Sequence, residues 1–469
     1  MNQTYTWADH RTFVAAADGS AILFGADHAS LFALEPSARE VVDRYQMRAA
    51  IDLYEAPLPD REILEALRAG QVLVPSAWLP RPASAPIDPA VIPLGTLVLE
   101  VAQACNMRCG YCYAGGGSYG GTARIMRPEL ARRAARLLVD SSGDRDRVTL
   151  VLFGGEPLLN LPALKAAVLE GEAAARACGK ELVVSLTTNG TRFTPEVLDF
   201  LRDHPMSVSV SIDGPPDMHD ANRRYPGAGG GGTYADVVAG LKLLQAQLPR
   251  PPAARVTLTP DQWGRVPEVF EHLLGLGFLE VGIAPASPVS AGLLSTPAQD
   301  DALFAGFSQL AQRFSCEAGD GRVLPFSNLL DLLGKLHLGQ VRDGPCGAGL
   351  GYLALDAEGS FFLCHRLAGV QRFCVGDLDA GIDYTKIRAC LAAQAAPRRD
   401  GCSTCWARSL CEGGCHHDNY VRENELGLPP GGSCDFIRRW LELGIRVYAG
   451  LCRDPDNRAL AFLGRRADG

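Results

Sequence analysis

The chain contains no run of about 18 apolar residues, the length that a bilayer-spanning helix needs. Its first residues do not pair a basic region with an apolar stretch, so no secretory signal is expected. Basic residues are not in excess: 45 Lys and Arg stand against 53 Asp and Glu, a net charge of -8. That balance argues against nucleic acid or an anionic membrane as the main partner. An even cysteine count is missing too. Fifteen cysteines, some in tight C-x2-C pairs and without an export signal, point to metal ligation in a reducing cytoplasm rather than to disulfides. What is present is an apolar fraction of 47% over 469 residues, enough for a large core and two or three domains. A soluble, cytoplasmic, oxygen-sensitive metalloprotein is expected.

Short apolar runs at 12–16, 21–24 and 30–34, broken by Asp-Gly and Gly-Ala-Asp turns, predict strands in a first unit, residues 1–80. Helical periodicity follows at 36–45 and 60–69. The proline-rich stretch 81–93 reads as a linker. From residue 94, strand and helix patterns alternate. Strands are expected at 96–102, 147–153, 181–187, 206–212, 254–259 and 279–284, and helices at 128–140, 161–177, 195–202, 234–247 and 266–276. Pro128 and Pro195 stand at helix starts, where proline is tolerated. Six β/α units across 94–290 imply a parallel sheet of the α/β class, with its working face at the strand C-terminal ends. Helices at 297–315 and 328–337 form a bridge, 291–344, into a cysteine-dense region, 345–435. A final segment, 436–469, begins with an amphipathic helix at 436–450. The glycine-rich stretch 227–232 is either a lid at the working face or a plain solvent loop.

Cys105, Cys109 and Cys112 follow the first of these strands in the spacing C-x3-C-x2-C. One short loop thus offers three thiolates, the usual protein ligands of iron–sulfur clusters. A four-iron cluster has four corners, so three ligands leave one iron open to a second molecule. A structural zinc site wants four closed ligands, and no fourth lies nearby. Gly154, Gly155 and Glu156 follow the second strand; the glycines admit close backbone approach, and the carboxylate can accept from an ammonium group. Asn189 follows the third strand, and Ser211 and Asp213 close the fourth. Asp213 reads either as a base or as a group that orients backbone. Arg223 is suited to a bidentate grip on a carboxylate. Farther on, Cys346, Cys364, Cys402, Cys405, Cys411, Cys415 and Cys434 form the series C…G-x4-C…C-x2-C-x5-C-x3-C…C. Two C-x2-C pairs would suit a zinc ribbon better than this pattern. Cys178 and Cys452 fall in or beside helical patterns, as small core residues do. His416 and His417 read as a structural or substrate-facing pair.

The cysteine loop, with Tyr111 before its last cysteine and Gly-Gly-Glu-Pro one β/α unit later, resembles the signature of the radical S-adenosylmethionine (SAM) superfamily. The seven later cysteines are similar to its SPASM extension. This resemblance implies a partial (β/α)6 barrel, three [4Fe-4S] clusters and bound SAM. It implies Cys105, Cys109 and Cys112 on the SAM-binding cluster, and Gly154, Gly155, Glu156, Asn189, Ser211 and Arg223 along SAM. It also implies Cys402, Cys405, Cys411 and Cys434 on an outer auxiliary cluster, and Cys346, Cys364 and Cys415 on an inner one. The inner cluster is then a ligand short. Either Cys374 completes it or an open iron binds a substrate thiol, which loses its proton on a metal; the open iron is the favoured expectation. In this superfamily, reduced SAM yields a 5′-deoxyadenosyl radical that removes hydrogen from an unactivated C–H bond. The cofactor carries that step while the protein orients and excludes water. A flavodoxin or ferredoxin is the expected reductant.

SPASM extensions mark enzymes that modify ribosomally made peptides and proteins. The first unit resembles the small winged-helix-like domains with which such enzymes bind a leader peptide by strand addition. The segments 105–160 and 411–418 are similar to thioether-forming maturases, above all to those that mature quinohemoprotein amine dehydrogenase. That likeness implies its small γ subunit as substrate. It also implies a bond from cysteine sulfur to an Asp or Glu methylene carbon, with one electron leaving to the auxiliary clusters. A formylglycine-forming or carbon–carbon-forming maturase would share both cysteine regions. A non-catalytic metal-bound peptide scaffold is the reading from another class, and the intact cysteine loop beside Gly-Gly-Glu-Pro argues against it.

Overall fold

A computed structural model describes all residues except 1–3, 17, 78–86, 228, 342–345, 396–401, 403–404, 412, 425, 427–432 and 469. The N-terminal unit runs β1 (Thr4–Trp7), β2 (Arg11–Ala15), β3 (Ala21–Gly25), β4 (Ser30–Leu34), α1 (Pro36–Tyr45), β5 (Ile51–Asp52), α2 (Leu58–Ala69) and β6 (Leu73–Pro75). β1 sits between β5 and β6, while β2, β3 and β4 form an antiparallel meander. Val41, Val42 and Tyr45 of α1 and Leu64 and Leu67 of α2 share a core with Trp7, Leu23 and Leu34. Side chains alternate between faces along a strand, so Val14, Ile22 and Phe24 turn the other way. They pack against Leu332, Leu336, Leu441 and Ile445, and Phe24 meets Trp406 edge-on at 6.4 Å. The meander is therefore docked on C-terminal helices, a contact that the local sequence patterns did not reveal. Of the linker expected at 81–93, residues 81–86 lie outside the described residues.

The barrel follows as β7 (Thr96–Gln103), β8 (Arg124–Ile125), α3 (Pro128–Asp140), β9 (Arg147–Gly154), α4 (Leu161–Ala177), β10 (Glu181–Thr188), α5 (Pro195–Asp203), β11 (Ser207–Ser211), α6 (Pro216–Asn222), α7 (Tyr234–Gln247), β12 (Ala253–Leu258), α8 (Val266–Gly275) and β13 (Val281–Pro285). Six of these strands pair in parallel in the order β13-β12-β11-β10-β9-β7. Alternation explains the two faces. Val148, Leu150 and Leu152 of β9 pack outward on Leu130, Ala134 and Leu138 of α3 and Leu164, Ala167 and Val168 of α4. The intervening Thr149, Val151 and Phe153 stay part-exposed on the inner face, as do Ser185 and Thr187 of β10 and Ser209 and Ser211 of β11. Small polar residues inside an unclosed barrel leave its centre open to ligands.

The remaining elements are α9 (Pro297–Gly319), α10 (Ser327–His337), β14 (Tyr352–Leu355), β15 (Ser360–Phe362), β16 (Cys374–Asp377), β17 (Gly381–Ile382), α11 (Tyr384–Ala395), α12 (Arg408–Cys411), α13 (His416–Glu423), α14 (Ser433–Leu451) and α15 (Arg458–Asp468). Thr296 and Gln299 close the start of α9 as a capping box, each side chain satisfying a backbone donor of the other. β14 pairs in parallel with β7, Tyr352 opposite Thr96, and β15–β17 continue it antiparallel. The cysteine-dense region thus extends the barrel sheet instead of forming a sheet of its own. Among the described residues no helix is long and apolar enough to cross a membrane.

Candidate active site

The strand C-terminal ends and the cysteine-dense region together enclose a cavity of about 870 Å³. Cys105, Cys109 and Cys112 border it from the barrel side, and Cys415 borders it from the other. Gly154, Gly155, Glu156, Asn189, Ser211 and Arg223 line it as well. The cysteine loop reaches it because two glycines interlock beneath. A Cβ on Gly155 would stand 2.3 Å from the Ala104 carbonyl oxygen, and one on Gly117 would stand 2.9 Å from Gly155 Cα. No larger residue fits either position without moving backbone.

Glu156 lines the cavity but spends its carboxylate on the protein. Its oxygens accept from the N–H groups of Leu158 (3.0 Å) and Asn189 (2.7 Å) and from the Thr188 hydroxyl (2.7 Å). Burial pushes its carboxyl up, and these donors pull it back. Asn189 is committed in the same way. Its amide donates to Asn106 Oδ1 at 2.8 Å and lies 3.8 Å from Cys105 Sγ, while its carbonyl accepts from Thr191. Both were expected along SAM and do border the cavity, and their side-chain bonds also tie the cysteine loop to the ends of β9 and β10.

Asp213 needs a correction of role. It does not border the cavity; it lies fully buried behind Tyr111. One carboxylate oxygen accepts from the Tyr111 hydroxyl at 2.5 Å, the other from Thr257 N–H at 3.0 Å. With both oxygens occupied and shielded, it orients neighbours and is not placed to act as a base on substrate. Arg223 Nη1 donates to the same Tyr111 hydroxyl at 2.7 Å and stands 3.9 Å from Asp213. Burial opposes the Arg223 charge, but Tyr111, Cys109 and Asp213 outweigh it and keep the guanidinium protonated. Its Nε is buried without a hydrogen-bond partner among the described residues. A cation with a spare donor at the cavity wall suits a bound carboxylate. Behind it, burial holds His219 down to about 3, so the ring is neutral. Its Nδ1 accepts from Asp213 N–H and its Nε2 donates to Thr233 Oγ1.

The cysteines fall into three groups. Burial pushes the Cys105 thiol up to about 11, and Glu156, Cys109 and Cys112 add to the rise. Burial brings Cys364 to about 12, with Cys415 and Cys346 contributing. Cys411 is raised by burial and then by Cys434, Cys405 and Cys402. Thiols that raise one another are close neighbours that share a site best when metal takes the place of their protons. Among the described residues, no three His, Cys, Asp or Glu side chains converge as a single metal ion requires. Thiolates of a four-iron cluster bind separate irons and need no such convergence. The donor sets therefore fit clusters. Cys374 stands opposite Phe362, and its thiol faces the Gly376 carbonyl at 3.6 Å.

Three residues on the auxiliary wall went unassigned in the sequence. Arg366 donates to Cys415 Sγ at 3.1 Å, to Ser287 Oγ and to Asp418, whose Oδ1 lies 3.2 Å away. Ser287 in turn donates to Asp418 Oδ1 at 2.8 Å, and the Arg366 guanidinium stacks 5.2 Å from the Tyr113 ring centroid. Burial would raise the Asp418 carboxyl, but His417, Arg366 and Ser287 hold it at about 2. Adjacency of Arg366 to Cys364 and His365 was the available signal. His416 is anchored on the Leu426 carbonyl at 2.8 Å, and His417 packs edge-on to Tyr113. In the glycine-rich stretch, Gly230 and Gly231 accept from Arg224 and Tyr225, and its described residues do not border the cavity; residue 228 lies outside the described residues.

Residues 99–273 match the Radical SAM superfamily. The chain carries a radical SAM domain and is a radical SAM enzyme, which implies a [4Fe-4S] cluster and SAM. An AdoMet-dependent heme synthase of Methanosarcina barkeri is 26% identical over 57% of this chain and 76% of its own length. A serine-type anaerobic sulfatase-maturating enzyme of Klebsiella aerogenes is 24% identical over 71% of this chain and 83% of its own length. Among solved structures, anSMEcpe with bound AdoMet superposes with a TM-score of 0.65 at 18% identity, covering 77% of this chain and 99% of that one. SuiB of Streptococcus suis superposes with a TM-score of 0.53 at 14% identity, covering 90% and 98%. At such identities these two structures share the fold.

Proposed function

We propose that the chain is a SPASM-type maturase that installs thioether crosslinks, from cysteine sulfur to an Asp or Glu methylene carbon, in a ribosomally made protein. The γ subunit of a quinohemoprotein amine dehydrogenase is the proposed substrate, and a flavodoxin or ferredoxin the proposed electron donor. One observation carries the reading: a single cavity is bordered by the cysteine loop at one wall and by Cys415 of the inner group at the other. Hydrogen removal and sulfur delivery need that proximity, since a carbon radical must meet its sulfur before anything else.

Cys105, Cys109 and Cys112 would hold the SAM-binding cluster. Cys402, Cys405, Cys411 and Cys434 would hold the outer auxiliary cluster, and Cys346, Cys364 and Cys415 the inner one with an open position. Bound SAM and its cluster supply a 5′-deoxyadenosyl radical that takes one hydrogen from the substrate. The protein's part is placement. Arg223 offers its unpartnered Nε to the SAM carboxylate, Gly154 and Gly155 admit SAM close to backbone, and Asp213 and Tyr111 hold Arg223 in position. Arg366 sets a positive charge beside Cys415, to whose sulfur it donates. Closing the carbon–sulfur bond would release the thiol proton and one electron, and clusters held by these cysteines would supply the electron acceptor.

Anaerobic reconstitution with iron and sulfide, followed by SAM, dithionite and a γ-subunit peptide, tests the reading. The expected result is 5′-deoxyadenosine together with a peptide lighter by H2 per crosslink. Deoxyadenosine with an unchanged peptide would reject the substrate. A peptide whose cysteine is converted to formylglycine would replace the thioether reading with that of a formylglycine maturase.

A further inference from the structure

Four arginines border the cavity: Arg223, Arg255, Arg366 and Arg422. Two are committed, Arg223 to Tyr111 and Asp213, and Arg366 to Asp418, Ser287 and Cys415. The Arg255 guanidinium makes no hydrogen bond or ion pair among the described residues and stays exposed to the cavity. Its place is unusual for a loose cation, because it lies within β12, on a barrel strand. Ser211 is its neighbour on β11 and Gly282 its neighbour on β13. A Cβ on Gly282 would stand 2.7 Å from Arg255 Nη1. The guanidinium thus lies across bare backbone, kept inside the barrel by available space and not by a counter-ion.

An exposed guanidinium with no partner on the protein is free to take a bidentate anion that enters the cavity. The chain's own carboxylates do not: Glu156 is taken up by Leu158, Asn189 and Thr188, and Asp418 by Arg366. Asp300 also borders the cavity but forms no ion pair with Arg255. The SAM carboxylate has Arg223 with its spare Nε. Arg255 is thus left to a second anion brought by the substrate, the one other molecule that the cavity must admit.

We infer that Arg255 determines specificity by gripping the side-chain carboxylate of the substrate residue that accepts the sulfur. This inference rests on the thioether reading proposed above. A planar two-point grip on the carboxylate fixes the adjoining methylene at a set reach. Hydrogen is then taken beside an acid, and a neutral side chain at the same place is left unheld.

The test is a double-mutant cycle on the reconstituted full chain with SAM bound. Two cysteine-containing peptides differ only in Glu or Gln at the single acceptor position, and the enzyme is wild type or R255Q. Affinity is read by fluorescence anisotropy and product by mass. Wild type should bind the Gln peptide at least about tenfold more weakly than the Glu peptide, whereas R255Q should discriminate by less than about twofold. G282A serves as a second variant that keeps the arginine but crowds Nη1, and it should also narrow the discrimination. Losses that multiply across the cycle would overturn the assignment, because Arg255 would then not touch that carboxylate. So would a fall in SAM affinity that accounts for the loss in R255Q. The two proposals separate cleanly. Arg255-dependent preference for Glu without any crosslink would keep the grip and sink the thioether reading. Equal binding and crosslinking of both peptides would do the reverse.

Discussion

The two walls of the cavity use polar side chains in opposite ways. On the barrel wall, Glu156, Asn189 and Asp213 turn their oxygens inward to backbone N–H groups and to the Tyr111 hydroxyl, and the Asn189 amide donates to Asn106. They fix a cysteine loop that has no secondary structure to hold it. On the auxiliary wall, Arg366, Asp418 and Ser287 bond one another around Cys415, and Arg422 faces the cavity exposed. The first wall is built for one fixed geometry. The second presents charge and thiol to the cavity. Both walls face one cavity of about 870 Å³.

The sharpest way to break this comparison is to remove each wall's cysteines in turn. Replacing Cys105, Cys109 and Cys112 by Ala should abolish both deoxyadenosine and crosslinked peptide. Replacing Cys346, Cys364 and Cys415 should abolish the crosslink while deoxyadenosine falls by less than about tenfold, since uncoupled SAM cleavage needs only the barrel wall. Equal loss of both products in a variant that still holds its SAM-side cluster would show that the walls do not work separately.

A second effect acts through the N-terminal meander. Phe24 is fully buried against Trp406, which follows Cys405 directly. Phe24→Ala should destabilise that contact by about 3–5 kcal/mol, the usual result of deleting a buried ring. Hydrogen exchange should then rise around residues 405–411 and not at β7 or β9.

Smaller losses are expected on the barrel wall. Tyr111→Phe leaves buried Asp213 and Arg223 without the hydroxyl that joins them, at about 1–3 kcal/mol. If that loss falls on SAM placement, deoxyadenosine formation drops by about 10- to 100-fold with iron content unchanged. His219 gives the smallest effect. Its folded value of about 3 lies below the free value of 6.5, so the unfolded chain binds the extra proton. Its contribution is complete above pH 6.5 and is lost as pH falls toward 3. Between pH 7 and pH 5.5 that amounts to about 1 kcal/mol, and denaturant melts of wild type against His219→Gln should differ by this amount.

Much of the barrel was legible because its local signals agree. Prolines at helix starts, alternating apolar strands and glycine turns recur through residues 96–285, and strand bounds fall within two residues of expectation. The cysteine loop after β7 was also legible, since its C-x3-C-x2-C spacing carries it. Placement across the chain was not. Nothing local in Tyr352-Leu-Ala-Leu355 tells that it joins β7, nor in Phe24 that Trp406 covers it. Asp213 looked reactive because it ends a strand near the site; only the positions of Tyr111 and Thr257 show it to be enclosed. Arg255 was hidden for the opposite reason. A lone arginine in an Ala-Ala-Arg-Val-Thr-Leu strand gains meaning once the neighbouring strand is known to offer Gly282.

The central claim is that one cavity serves both hydrogen removal from an acidic residue and delivery of sulfur to it. The most direct measurement uses wild-type enzyme and a γ-subunit peptide deuterated at its Asp and Glu methylenes, with mass spectrometry of both deoxyadenosine and peptide. Deuterium in deoxyadenosine, matched by a peptide that has lost one deuterium and one proton per thioether, is the predicted result. Deoxyadenosine free of deuterium beside a crosslinked peptide would contradict it, because the hydrogen would then have come from another carbon.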